Sequence, residues 1–591
     1  MESRDRHQSR PSDRRRSSSY DSSPRVSPRG GLREAGGAGS ISAPKVMFLI
    51  FCAVFAIVAV KLVYLQIIEG PDLSTQAEQR RTNSITLTAK RGTIYDRNGN
   101  VLAMSVDCKT VYCNPKEITD VTATAKVLAA DLGGDASDYE TLLSKDTSFV
   151  YVKRKVDTSV AEKLKSDLSD GDLAGVYQLS DTKRIYPYGQ VAGQILGLVG
   201  TDNQGLSGIE LEYDDILSGT DGSMLMEVGS DGTPIAGGVS ETTDAQDGTD
   251  IVLSIDVDIQ QAAEEKIAQA VTDYSADSGT VMVTDPSSGE ILACCSTPLL
   301  DPSDSSTVTD ESMKVRPISD SYEPGSIFKI LTLAIGIENG VLNADTNYTV
   351  PSEVQVGSDY VKDDDGRSYT MDMTCREILR RSSNTGAVMM SKSIGADAFA
   401  DGVSKFGIGS TTGIDFPGEV SGLVTQRSDY TSATLGVMSF GQGVAVPMVQ
   451  MVRAVGAIAN KGTLTTPHLL IAKGDTTVDW PSGGQACSES TASQVTDVLR
   501  TVVQEGTATA AQVEGYDVAG KTGTGEQADD TGTYIANSYL SSLIGYAPAS
   551  DPQVLVYVGL NGTPYLAYAS AAPVFSSIMS EALGDMGVQP G

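Results

Sequence analysis

At 591 residues and 40% hydrophobic content, the chain is long enough for two or three globular domains. Its 44 basic and 76 acidic side chains leave a net charge of −32, which argues against nucleic acid as a partner for the bulk of the molecule. The two histidines, His7 and His468, cannot build a two-histidine zinc motif. A Ser-His-Asp triad would have to use His468, where no nucleophile elbow accompanies it and a structural role is expected.

Residues 1–45 carry ten basic side chains against five acidic ones, a net +5, leaving −37 for the rest. This Arg/Ser-rich tail is expected to be disordered. Residues 46–68 follow with one charge, Lys61. At about 1.5 Å per residue they reach roughly 34 Å, enough for a bilayer core, and Lys61 can snorkel from the last third. No Ala-x-Ala site follows, so an uncleaved signal anchor is expected rather than a signal peptide. The basic flank puts the tail in the cytoplasm and everything after residue 68 outside.

Arg91-Gly92-Thr93-Ile94-Tyr95-Asp96-Arg97-Asn98-Gly99-Asn100 opens the next region. Its Asn98-Gly99 pair predicts a two-residue hairpin turn. Helices are predicted near 119–132 and 160–168, and Arg184-Ile185-Tyr186-Pro187-Tyr188-Gly189 and Gly208-Ile209-Glu210-Leu211-Glu212-Tyr213-Asp214 complete an α+β scaffold without a nucleophile. The Gly/Thr/Ser/Asp-rich stretch 229–249 reads as a linker or exposed hairpin. Beyond it come a strand at 251–255, a helix at 258–271, a hairpin over 280–293 and a buried helix at 327–339 ended by Asn339-Gly340. Two strands, 540–546 and 554–560, and a helix at 571–583 close the chain. The seven cysteines include no Cys-x-x-Cys. A Cys108–Cys113 bridge is conceivable outside the membrane, but free buried thiols are expected.

Three elements carry chemistry. Ser326-Ile327-Phe328-Lys329 puts a hydroxyl and an amine on one face of a helix start, so the amine can serve as base where histidine is missing. An amine useful at neutral pH must lose about 3 pKa units, which requires desolvation and a second cation, for which Lys521 is the candidate. Ser382-Ser383-Asn384, between helical stretches 375–381 and 385–393, can offer Ser382 as proton relay and Asn384 to a substrate amide. Lys521-Thr522-Gly523-Thr524 follows the strand-like Val518-Ala519-Gly520. Gly523 permits close backbone approach, the Lys and Thr side chains can hold a carboxylate, and the N–H groups of Ser326 and Thr524 can form an oxyanion hole. Gly515-Tyr516-Asp517-Val518-Ala519-Gly520-Lys521-Thr522 also matches a phosphate-loop pattern, but 522–533 is unsuited to the helix such a loop needs.

Together these motifs resemble the class B penicillin-binding proteins, the D,D-transpeptidases that crosslink peptidoglycan. The resemblance covers nearly all the chain beyond the tail, including Gly413-Ile414-Asp415-Phe416-Pro417-Gly418-Glu419 and Ser439-Phe440-Gly441-Gln442-Gly443. It implies a multi-domain α+β fold: a tail (1–45), a single transmembrane helix (46–68), an elongated α+β pedestal of the dimerisation type (69–248) and a transpeptidase domain with an antiparallel sheet flanked by helices (249–591). It implies Ser326 as acylated nucleophile and Lys329 as its base. Ser382 and Lys521 join the catalytic set, and Asn384, Thr522, Gly523 and Thr524 bind substrate. No cofactor and no metal are implied. The partners implied are peptidoglycan stem peptides, β-lactams, a SEDS-type glycan polymerase, other division proteins and the membrane, without nucleic acid. Ala192-Gly193-Gln194 departs from the Ala-x-His often found in relatives, and too little chain follows Thr524 for a PASTA domain. The compact pedestal leans towards a septal role by analogy. An elongation enzyme, a β-lactamase and a penicillin sensor that acylates without turnover are the competing readings.

Overall fold

The computed structural model describes residues 43–70, 82–227, 240–528 and 534–591. Nearly all of the basic tail and most of the expected 229–249 linker lie outside the described residues. The chain forms two compact units, Met1–Thr82 and Asn83–Gly591. In the first, an α-helix over Ala43–Val63 continues through a wider turn at Tyr64–Ile68. These 26 residues are long and apolar enough to cross a membrane.

The second unit contains the predicted hairpin, Ile94–Tyr95 and Val101–Cys113, but its turn is longer than the two residues Asn98-Gly99. The Asp96 carboxylate accepts hydrogen bonds from the backbone N–H of Asn98 (2.9 Å) and of Asn100 (2.7 Å), and Gly99 adopts φ +86°. A side chain that satisfies two amides at once outcompetes the tight turn. Val150–Asp157 and Val176–Ile185 pair with opposite edges of Val101–Cys113. Helices Val121–Leu132, capped by Asp120, and Thr158–Asp170 bury their leucines against this sheet. Cys108 and Cys113 sit on one strand as separate buried thiols, and all seven cysteines are free.

A buried ion cluster ties the three polar motifs of this region together. Arg91 Nε donates to Glu210 Oε2 (2.9 Å) and Arg184 Nε to Glu210 Oε1 (2.6 Å), while Arg91 Nη1 reaches Asp214 Oδ1 (2.5 Å). Gln194 binds mainly backbone: it donates to Ser312 O (2.8 Å) and accepts from Ser296 N (2.8 Å), joining this region to the strand Ile291–Ser296. Strand Ile251–Leu253 pairs in parallel with Ile94–Tyr95 and antiparallel with Leu470–Lys473, so one sheet runs across residue 249.

The main core surrounds a five-stranded antiparallel sheet in the order Ile291–Ser296, Ser278–Thr284, Val554–Thr563, Tyr534–Ala547, Ala519–Ala528. Helices Val257–Asp273 and Ala571–Asp585 pack on it and on one another. Helix Lys329–Glu338 is buried from Lys329 to Ile337, which its apolar sequence requires. Each fully buried Ile or Leu there contributes about 1.5–3 kcal/mol.

Candidate active site

Three elements converge on one groove. The first is a tight 3-10 turn, Gly325–Phe328, that leads into the buried helix. Gly325 takes φ +55° and donates its N–H to Gly441 O (3.0 Å). Gly441 itself takes φ +81°, and a Cβ there would lie 2.1 Å from Gly325 O. Only glycine allows the 439–443 segment to clamp the turn that presents Ser326. Gly441→Ala is therefore expected to melt at a lower temperature than Gly418→Ala and to acylate more slowly. Gly418 shares the positive φ (+90°) but has open space around it, so it carries only the left-handed strain of about 1–2 kcal/mol.

The second element is the turn between helices Cys375–Arg381 and Asn384–Ile394. A capping box of Thr374 and Glu377 starts the first helix, and Ser383 caps the second by accepting from Gly386 N (3.0 Å). Between them Ser382 is forced into the left-handed region, φ +59°. The third element is the edge strand Ala519–Ala528, which runs alongside the nucleophile turn. A Cβ built on Gly325 would approach Thr524 O to 3.4 Å, and one on Gly523 would meet the Ile327 side chain at 2.9 Å, so the strand packs closely on the turn. This strand also removes the phosphate-loop reading, because Lys521 and Thr522 lie inside a β ladder and not at a helix start.

Lys329 Nζ, fully buried, lies 2.9 Å from Ser326 Oγ. It also lies 2.6 Å from Ser382 O, 2.7 Å from Asn384 Oδ1 and 3.3 Å from Ser382 Oγ. A neutral amine has two N–H donors and one lone pair. Donation to Ser382 O and Asn384 Oδ1 leaves the lone pair for the Ser326 hydroxyl proton. Lys521 Nζ, equally buried, donates to Ser382 Oγ (2.9 Å) and to Thr522 O (3.0 Å). Ser382 Oγ thus stands between the two amines. Burial pushes Lys329 down to about 8, opposed by the carboxylates of Asp364 and Asp363. Burial and the charge of Lys329 push Lys521 well below the ordinary lysine value, opposed by Asp364. Desolvation, not the second cation, is the dominant cause at Lys329.

The remaining candidates occupy the same groove less directly. Asn384 spends its carbonyl oxygen on Lys329, and its Nδ2 lies 3.3 Å from Lys362 O. Thr522 Oγ1 pairs with Thr507 Oγ1 (3.0 Å), and Thr524 Oγ1 accepts from Ala567 N (3.5 Å). His468 is buried away from this chemistry, with Nδ1 2.8 Å from Thr466 O and its ring stacked 5.0 Å from Trp480. Sequence reasoning overlooked Asp363 and Arg367, a nearly buried ion pair (2.8 Å) behind the 382–384 turn. The only sequence signal was the acidic run 363–365 about twenty residues upstream. Among the described residues no cluster of histidine, cysteine and carboxylate side chains could hold a metal ion.

Comparison with known proteins agrees with this geometry. Residues 279–580 match the penicillin binding protein transpeptidase domain, and residues 86–253 match the penicillin-binding protein dimerisation domain. The chain is 34% identical to stage V sporulation protein D of Bacillus subtilis, over 91% of this chain and 84% of that one. It is 29% identical to the peptidoglycan D,D-transpeptidase FtsI of Escherichia coli, over 90% and 89%. Penicillin binding protein 3 of Mycobacterium tuberculosis, solved with aztreonam, superimposes with a TM-score of 0.67 at 27% identity, over 86% of this chain and 98% of that one. With both domain matches, a full-length relative above 30% identity and a serine–lysine–lysine groove in the matched domain, the chain belongs to the class B penicillin-binding protein transpeptidases.

Proposed function

We propose that the protein crosslinks peptidoglycan stem peptides through an acyl-enzyme on Ser326. The observation that carries this reading is the 2.9 Å approach of Lys329 Nζ to Ser326 Oγ, with Ser382 and Asn384 bound to the same buried amine. Lys329 takes the hydroxyl proton as Ser326 Oγ bonds to the carbonyl carbon of the penultimate D-Ala. The C–N bond breaks, and the terminal D-Ala leaves with a proton passed through Ser382 between the two lysines. The amine of a neighbouring stem peptide then attacks the ester and restores Ser326. Backbone N–H groups of Ser326 and Thr524 receive the developing oxyanion. Asn384, Thr522, Gly523 and Thr524 hold the peptide, with Lys521 Nζ offering hydrogen bonds on the side of its carboxylate. A β-lactam enters the same cleft and stays on Ser326.

In this reading residues 69–248 are a pedestal and 249–591 the catalytic domain. The helix Ala43–Ile68 anchors the chain, with the +5 tail in the cytoplasm and the catalytic domain outside. The protein works at the septum with a SEDS-type glycan polymerase and other division proteins; the short pedestal supports this by analogy.

The test combines turnover with location. Purified enzyme given a donor ending in D-Ala-D-Ala and a labelled D-amino acid is expected to incorporate the label and release D-Ala, and a fluorescent fusion is expected at midcell. Acylation without transfer would favour a penicillin sensor, hydrolysis of the β-lactam a β-lactamase, and sidewall signal an elongation enzyme.

A further inference from the structure

Asp363 and Arg367 follow the strand Asp359–Lys362, and their side chains are only 5% and 3% exposed. The Asp363 carboxylate accepts from Ser383 Oγ (2.8 Å), Thr385 N (2.9 Å), Thr385 Oγ1 (3.0 Å) and Arg367 Nη2 (2.8 Å). Arg367 in turn donates to the carbonyls of Val350 (2.9 Å) and Pro351 (3.0 Å), which ties the pair to the strand Asn347–Val350. Asp363 thus grips the residues on both sides of Asn384. Next to them Ser382 sits in the left-handed region, where a non-glycine residue stays only if its surroundings hold it. Asp364, one position on, is exposed, and its Oδ1 lies 3.4 Å from Asn384 Nδ2.

The charged groups facing Lys329 are Lys521 on the edge strand and Asp363 and Asp364 on this loop. Those facing Lys521 are Lys329 and Asp364. Among the described residues this loop is therefore the source of negative charge at the two amines. We propose that the loop is a positioning element of the acylation site: Asp363 locks the turn 382–385 so that Ser382 and Asn384 hold Lys329, and Asp364 places a negative charge beside Asn384. Neither carboxylate touches the nucleophile. The inference rests on the reading that Lys329 activates Ser326.

The test measures acylation of the full-length protein in detergent by a fluorescent penicillin between pH 5.5 and 9.5, alongside thermal melting. Asp363→Ala is expected to lower the limiting acylation rate constant about 10- to 100-fold, while apparent penicillin affinity changes less than about twofold, because misplacing the relay affects chemistry more than docking. Asp364→Asn removes a charge that stabilises the ammonium forms. Its acid limb is expected to move about half a pH unit lower, raising the pH 6 to pH 9 rate ratio roughly threefold. A cooperatively melting Asp363→Ala protein that acylates at the wild-type rate overturns the positioning role. Should that variant fail to fold, Asp363→Asn, which keeps the shape and loses the charge, decides by the same rate. An unmoved acid limb in Asp364→Asn overturns the charge-setting role. Failure of the underlying reading looks different: Lys329→Met would acylate at the wild-type rate.

Discussion

Ser326→Ala protein is expected to take up no fluorescent penicillin, and Lys329→Met protein to take it up about 10²–10⁴ times more slowly than wild type, the usual worth of a general base. Methionine approximates the lysine stem but cannot accept the serine proton. In the wild type the acylation rate is expected to climb with pH through a value near 8, since the reactive amine must be neutral and burial lowers Lys329 to about 8. Below that pH Lys329 is an ammonium and its lone pair is gone; above it the base is ready. Lys521 is close enough to share Ser382 Oγ, so the apparent value belongs to the pair rather than to one residue. In Lys329→Met this pH limb disappears along with the rate. A variant that keeps both the wild-type rate and the limb would remove Lys329 from the role of base.

Glu210→Gln is expected to cost about 3–5 kcal/mol of stability, read as a lower denaturant midpoint without loss of the nucleophile. Glu210 is fully buried and uses one oxygen for Arg91 and the other for Arg184. Glutamine has the same shape, but its amide nitrogen is a donor, so one buried guanidinium would face another N–H. Asp214 remains beside Arg91 and offsets part of the loss there, whereas among the described residues Arg184 has no second carboxylate partner. A midpoint unchanged from wild type would mean that backbone carbonyls such as Gly92 O, which already accepts from Arg184 Nη1 (2.8 Å), suffice for both guanidinium groups.

The motifs were legible because their chemistry is local. Ser326 and Lys329 lie three residues apart, and any helical start brings them to one face. The hairpin turn was misread because a two-residue pattern cannot register that the Asp96 side chain would claim two amides. Asp363 was invisible for a different reason. A carboxylate in the run 363–365 looks like solvated loop, and only the fold turns one of three acids inward onto Ser383 and Thr385 while the next faces the groove.

The sequence alone therefore pointed to the family, the apolar N-terminal helix, the candidate nucleophile and its adjacent amine. The family rests on resemblance of motifs and the others on spacing along the chain or on composition, all of which survive without coordinates. The tertiary structure decided what those groups become. Lys521, 192 residues beyond Lys329, reaches the same serine hydroxyl only because the edge of the sheet lies against the 382–384 turn. The lowered basicity of both amines comes from burial, and burial is a property of the packed molecule, not of any tetrapeptide.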